Sequence, residues 1–181
     1  MDLSKIERGV ELILKGLDCD VKDRNFTETP ERVARFYAEM FSSQQTEWAT
    51  FPEDFTDFIL LRRHRMWSLC PHHLLPVRLD VSLAYIPNGE VLGLSKLARV
   101  LHECNTKPLL QERFTRDALE EVRKICHGTK GLAILVEGQH GCTLIRGVHS
   151  DAEFVTYRLE GEFKNDANLE YRFFDLARRS G

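Results

Sequence analysis

No apolar run in this sequence approaches the roughly 20 residues that a membrane-crossing helix requires. Cysteine is scarce as well: five thiols, an odd number, do not make the framework of a disulfide-stapled secreted domain. Neither sign of charge dominates, with 25 Lys and Arg against 28 Asp and Glu and a net charge of −3, and no long basic stretch stands out. That argues against a nucleic-acid partner, although local Arg and Lys clusters bind phosphate whatever the total charge. The first residues, Met1-Asp2-Leu3-Ser4-Lys5-Ile6-Glu7, lack both a secretory h-region and the character of a transit peptide. Internal repeats and low-complexity segments are missing too. What remains is a chain of 181 residues, 43% hydrophobic and 29% charged, which reads as cytoplasmic, without a membrane partner, and built around one core.

The patterns that are present alternate between two periods. Leu3, Ile6, Val10, Ile13, Leu14 and Leu17 recur at helical spacing and predict an opening amphipathic helix. Thr29-Pro30-Glu31 supplies a capping hydroxyl, Pro at the first helical position and an acid in the first turn, and so predicts a second helix. Its apolar stripe is Val33, Phe36, Tyr37 and Met40, and Arg32 and Arg35 project from another face. Ser42 to Asp57 shows no period and reads as a loop. From Val77 the period becomes two. Val77, Leu79, Val81, Leu83 and Tyr85 alternate with Arg78, Asp80, Ser82 and Ala84, a half-buried strand closed by Pro87-Asn88-Gly89. Leu94 to Cys104 reads as a helix with Ser95 as its N-cap. A longer one runs to about His127, with Phe114, Ala118, Val122 and Ile125 inward and Gly128 at its C-cap. Leu132–Glu137, Gly141–Ile145 and Phe154–Phe163 read as strands, and Tyr171–Arg179 as a closing helix. Hairpin-joined strands with helices set apart give an α+β class with an antiparallel sheet.

The sharpest local feature is Cys70-Pro71-His72-His73. A Cys and a His three apart on a tight turn can reach one metal, and thiolate with imidazole suits zinc. A further ligand must come from elsewhere, and His140-Gly141-Cys142 is the best source. On a strand, residues two apart share a face, so His140 and Cys142 are expected to point into one cavity. Cys19 has no ligand-like neighbour, and Cys104 and Cys126 sit in helical patterns as core thiols. Spacing leaves two arrangements open. Cys70, His73, His140 and Cys142 together make a closed, catalytically idle site, whereas three ligands keep a position for an activated water. Beyond the metal, Ser95-Lys96, Arg99, Gln111-Glu112-Arg113 and Arg146 are polar at positions a hydrophobic pattern does not explain. Any one of them is ordinarily a solvated residue with a surface ion pair.

It is the combination that carries a resemblance. Glu28-Thr29-Pro30-Glu31-Arg32-Val33-Ala34-Arg35, Cys70-Pro71-His72-His73-Leu74-Leu75-Pro76 and Ala84-Tyr85-Ile86-Pro87-Asn88 come first. Val91-Leu92-Gly93-Leu94-Ser95-Lys96-Leu97-Ala98-Arg99, Leu110-Gln111-Glu112-Arg113 and His140-Gly141-Cys142 with Arg146-Gly147-Val148 follow. Together, from about Thr27 to the C-terminus, they closely resemble the GTP cyclohydrolase I family, which begins pterin synthesis. The resemblance implies the tunnelling fold: an antiparallel sheet backed by two long helices, as a core over residues 61–181 after an N-terminal helical segment over 1–60. It implies a homo-oligomer, a decamer of two pentameric rings, with active sites at subunit interfaces, where Arg32 or Arg35 serves a neighbour.

Carried over residue by residue, the resemblance makes Cys70, His73 and Cys142 the ligands of Zn2+ and leaves His72 and His140 free for proton transfer. It implies hydrolysis of GTP to 7,8-dihydroneopterin triphosphate and formate, with metal-activated water attacking C8 of the guanine and His140 protonating N7. His72 and Ser95 take the later proton transfers of the ribose rearrangement. Glu112 reads guanine N1–H and the 2-amino group, and Gln111 helps to hold the base. Arg32, Arg35, Lys96, Arg99 and Arg146 hold the triphosphate. Pro71 departs from the family, which usually has Glu there, and the strand after Gly147 departs as well. Those changes keep two alternatives in view: a divergent purine-nucleotide enzyme that stops at ring opening, and a pterin- or purine-binding module with a structural zinc.

Overall fold

Helices α1 (Leu3–Gly16) and α2 (Thr29–Met40) pack on each other and belong to the first of two units, Met1–Ser42 and Ser43–Gly181; the computed structural model describes residues 1–43 and 47–179. Helix α1 is capped by the Asp2 carboxylate, which accepts from the Lys5 amide at 3.1 Å. Thr29 does not cap α2 as expected. It is the first helical residue, and its hydroxyl donates back to the Asn25 carbonyl instead. Arg32 and Arg35 pair with Glu28 and Glu31, each one turn away on the exposed surface.

In the second unit, Thr50–Pro52 forms a short strand, β1, inside the stretch read as a loop; positions 44–46 of that stretch lie outside the described residues. After β1 come β2 (Ile59–Leu69), β3 (Pro76–Ile86) and β4 (Glu90–Leu92). Strand β4 pairs antiparallel with β1, and the Leu92 amide donates to the Tyr85 hydroxyl at 2.7 Å, tying this clasp to β3. Next are α3 (Leu94–Glu103), α4 (Gln111–Ile125), β5 (Gly131–His140), the single turn α5 (Gly141–Leu144) and β6 (Glu153–Gly161). The turn α6 (Glu162–Asn165) and helix α7 (Ala167–Arg178) close the chain. The main sheet is antiparallel throughout, in the order β2-β3-β5-β6. This is the α+β architecture expected of the tunnelling fold.

Strand β2 escapes a reading by alternation, and the reason is a bulge. Leu61 pairs with Leu83 and His64 with Val81, so Arg62 and Arg63 together oppose Ser82. Arg63 takes a left-handed conformation, φ 49°, and its amide donates to the Ser82 hydroxyl at 3.1 Å. The extra residue inverts the parity of everything after it. Ile59 and Leu61 face the helices before the bulge, and Met66 and Cys70 do so after it. Without that inversion Cys70 would fall on the opposite face.

Strand β3 is more enclosed than its alternation suggests. From Val81 to Ile86 it is buried on both faces, because helices cover both sides of the sheet. Val77, Leu79, Val81, Leu83 and Tyr85 pack with Leu97, Val100 and Leu101 of α3 and Phe114, Ala118, Leu119 and Val122 of α4. On the other face Ala84, Ile86, Ala133 and Leu135 meet Phe58, Phe163, Phe173 and Ala177. That second layer is absent from the sequence reading because Phe163 was expected to continue a strand. It lies instead on α6, and α7 starts four residues before Tyr171 under an Asp166 cap. Two helix ends also differ: Gly93, not Ser95, is the N-cap of α3, and α4 stops at Ile125 with Cys126 as its cap. The largest local difference is 141–145, which forms the helical turn α5 rather than a strand.

Candidate active site

The site is assembled where β2 and β5 end and β3 begins. At the end of β2 the chain reverses: the Cys70 amide donates to the Leu75 carbonyl and the Leu74 amide to the Cys70 carbonyl, both at 2.9 Å. Leu74 sits at φ 54° to make that turn. The reversal brings His72 Nδ1 and His73 Nδ1 each to 3.8 Å from Cys70 Sγ. Strand β3 then starts at Pro76 and pairs Val77 with His140, so β5 delivers His140 beside the same turn. Immediately beyond it α5 swings Cys142 back over the site.

The outcome is a Cys–His–Cys group. Ligand atoms of Cys70, His73 and Cys142 all lie within 4.8 Å of one another, and no other group of three or more donors is found among the described residues. A tetrahedral ion with ordinary Zn–S and Zn–N bonds needs a sulfur–nitrogen separation of about 3.5 Å, close to the 3.8 Å seen between Cys70 and His73. The donor chemistry and spacing therefore fit a bound metal. Burial and the adjacent Cys70 thiol push the Cys142 thiol above its ordinary pKa.

His140 stands apart from this trio. Its Nε2 lies 2.8 Å from Gln111 Oε1, and its ring meets the Phe154 ring edge-on at 5.6 Å between centroids. Burial lowers its pKa, and the charge of Glu112 works in the opposite direction. A cavity of about 200 Å³ opens here, lined by Cys70, Pro71, His72, Gln111, Glu112, His140 and Cys142 with Leu109, Leu110, Thr143, Phe154 and Thr156. Helix α4 begins at this wall, so buried Gln111 and exposed Glu112 are its first two residues.

Thus Cys70, His72, His73, Gln111, Glu112, His140 and Cys142, far apart in the chain, come together. Arg146 joins them from the far side, its Nη1 lying 2.6 Å from His73 Nε2. Ser95, Lys96 and Arg99 lie along α3, outside this cavity wall, with Lys96 bonded to the Glu47 carbonyl. Arg32 and Arg35 are in the first unit. Cys104 and Cys126 are core thiols, and burial pushes Cys104 up to about 12.

Sequence reading missed Phe154, Thr115, Thr156 and Gly138. One signal was available for Thr115. Gln111 and Thr115 are polar residues one turn apart on the stripe of Phe114, Ala118 and Val122, and both are buried. Polar groups on an apolar stripe announce specific partners.

The family model for GTP cyclohydrolase I matches residues 6–178. The GTP cyclohydrolase 1 of Clostridium perfringens (strain 13 / Type A) is 38% identical over 182 residues, covering 97% of this chain and 98% of its own. That of Hydrogenobaculum sp. (strain Y04AAS1) is 35% identical, covering 99% of this chain and 100% of its own. That of Aquifex aeolicus (strain VF5) is 34% identical, with 98% coverage of both. A full-length match of this kind means that the chain belongs to the GTP cyclohydrolase I family, the enzymes of the first step of pterin and folate synthesis.

Proposed function

We propose that the chain hydrolyses GTP to 7,8-dihydroneopterin triphosphate and formate, using Zn2+ held by Cys70, His73 and Cys142. The observation that carries this reading is the convergence of those three donors within 4.8 Å of one another, with Cys70 and Cys142 at the wall of a cavity that His72, Glu112 and His140 also line. A purely structural zinc would have no use for the two further imidazoles. When bound, the ion would supply Lewis acidity and an activated water for attack on the purine's imidazole ring.

The chain's own groups do the rest. Glu112, an exposed carboxylate at the cavity, accepts from guanine N1–H and the 2-amino group together, a donor pair that adenine lacks. His140 donates a proton to N7 as the C8–N bond opens. His72 and Ser95 serve the later proton transfers. Arg146, beside His73, is one cation of the triphosphate site, and Lys96, Arg99, Arg32 and Arg35 are the others.

A homo-oligomer of two pentameric rings, with sites shared between neighbours, suits three features. A cavity of about 200 Å³ is smaller than the roughly 300–1,000 Å³ of a complete small-molecule site. Ser95, Lys96 and Arg99 lie outside its wall, free to serve an adjoining subunit. Among the described residues, strands β2 and β6 each leave one edge unpaired within the sheet of one chain.

The test is incubation of zinc-loaded protein with GTP, followed by mass analysis of products and a formate assay. Dihydroneopterin triphosphate with matching formate is the expected result. A ring-opened product without the pterin would overturn the full reaction in favour of a divergent enzyme, a reading that Pro71 at the cavity wall favours. Absence of turnover with stoichiometric zinc would overturn it in favour of a binding module.

A further inference from the structure

The hydrogen that His140 carries on its outer nitrogen is dictated by a side chain with no freedom of its own. Gln111 is 4% exposed. Its amide nitrogen faces three oxygens: the Phe154 carbonyl at 2.8 Å, the Val136 carbonyl at 3.2 Å and the Thr156 hydroxyl at 3.3 Å. Carbonyl oxygens only accept, so the NH2 end must point there and Oε1 must point the other way, at His140 Nε2, 2.8 Å distant. An amide oxygen only accepts as well, so Nε2 must carry a hydrogen. Turning the amide over would set its oxygen against two carbonyls and forfeit their hydrogen bonds inside the protein.

Two further features hold the clamp. Thr115 Oγ1 donates to the Gln111 carbonyl at 2.8 Å and lies 2.6 Å from Thr156 Oγ1, so the first turn of α4 is tied to β6. Strand β5 also omits a side chain at the point where the amide sits. A Cβ at Gly138 would come within 2.2 Å of Gln111 Oε1.

We infer that Gln111 is a positioning residue that fixes neutral His140 as the Nε2–H tautomer, so that Nδ1 alone exchanges a proton with the substrate. In the proposed ring opening the Nδ1–H bond of the imidazolium breaks and its electron pair stays on Nδ1. The proton bonds to purine N7, and the Nε2–H···Oε1 contact persists through both states. This differs from donating to the base, for which Gln111 would need a free amide hydrogen, and both of its hydrogens are engaged. The assignment of N7 rests on the proposed function, whereas the tautomer does not.

The test uses zinc-loaded protein labelled with 15N-histidine. In the wild type the His140 ring is expected to show a pyrrole-type Nε2 and a pyridine-type Nδ1, assigned by loss of those signals in His140→Gln. In Gln111→Met the tautomers should mix, and kcat for GTP should fall about 10- to 100-fold with KM within about threefold. Gly138→Ala, which keeps Gln111 but displaces its oxygen, should give the same spectral change and the same split. Nδ1–H in the wild type would overturn the inference, and so would a raised KM with unchanged kcat in Gln111→Met. If Gln111→Met fails to fold, the wild-type spectrum and Gly138→Ala decide. If the wild type does not turn over GTP, the functional reading falls while the spectrum still decides the tautomer.

Discussion

Gly141 separates His140 from Cys142, and its missing side chain is what lets the chain fold back there. A methyl group at this position would lie 2.8 Å from the Pro76 carbonyl oxygen, with Leu75 Cβ at 3.5 Å and Pro76 N at 3.6 Å. The first contact is about 0.6 Å inside ordinary van der Waals distance. It cannot be relieved from the Pro76 side. That oxygen is backbone at the start of β3, whose next residue is paired with His140 on one side and with Ser68 on the other. Relief must therefore come from α5, a four-residue turn at the rim of the sheet, which would carry Cys142 outward by roughly half an ångström. Metal donors tolerate displacements of about 0.2 Å. Gly141→Ala is thus expected to cost about 1–3 kcal/mol of stability by overpacking and to weaken zinc binding about 10- to 100-fold. Competition with a chromophoric chelator measures the second quantity and denaturant unfolding the first. Gly9→Ala, on α1 with nothing within 4 Å of the new methyl, is the control and should leave zinc affinity unchanged. Wild-type zinc affinity in Gly141→Ala would refute the claim that contact with β3 sets the position of Cys142.

Three other substitutions probe separate links. Glu112→Ala is expected to raise KM for GTP or lower kcat at least tenfold with zinc content unchanged, measured by steady-state kinetics and metal analysis. Phe163→Ala removes a fully buried ring that meets Phe58 and Phe173 edge-on, and should cost about 3–5 kcal/mol in denaturant unfolding with no direct effect on metal binding. Burial, aided by the charge of His102, holds the pKa of His64 below its ordinary 6.5, so folding favours the neutral ring. Its contribution is present above pH 6.5 and is lost as pH falls below that value. His64→Gln should therefore unfold with a shallower loss of stability between pH 7 and pH 5 than the wild type.

How much of this was legible depended on whether a residue's partner was local. Cys70 and His73 are three apart, so their shared reach could be read from spacing alone. The alternation of Val77 to Tyr85 likewise shows one face of β3, because each residue on it meets the same layer of helices. Strand β2 could not be read this way. Arg62 and Arg63 share one partner across the bulge, and the sequence before and after it then carries two half-patterns of opposite parity. Gln111 was legible as a site residue but not as the partner of His140. That contact spans 29 residues and depends on β6 supplying the oxygens that orient the amide.

The pairing of His140 with Cys142 shows how a correct expectation can rest on the wrong element. Alternation along a strand would aim both side chains at one cavity, and both do line it, yet 141–145 is not a strand. The partner that β3 would offer to Gly141 is Pro76, the residue before Val77 in the register, and proline has no amide hydrogen to donate. Pairing therefore ends at His140, and the chain is released into a turn at the one residue small enough to lie against the Pro76 carbonyl. A helical turn advances about 100° per residue, whereas a strand advances 180°. Cys142 consequently does not stand in line behind His140 along the sheet but swings toward the Cys70 reversal. That separation is what the two proposed roles require: His140 stays on the strand beside Gln111, while Cys142 follows the turn toward Cys70 and His73. Had the strand continued, both side chains would have projected from the same row, and the distinction between a closed four-donor site and one with a free imidazole would have been far harder to build.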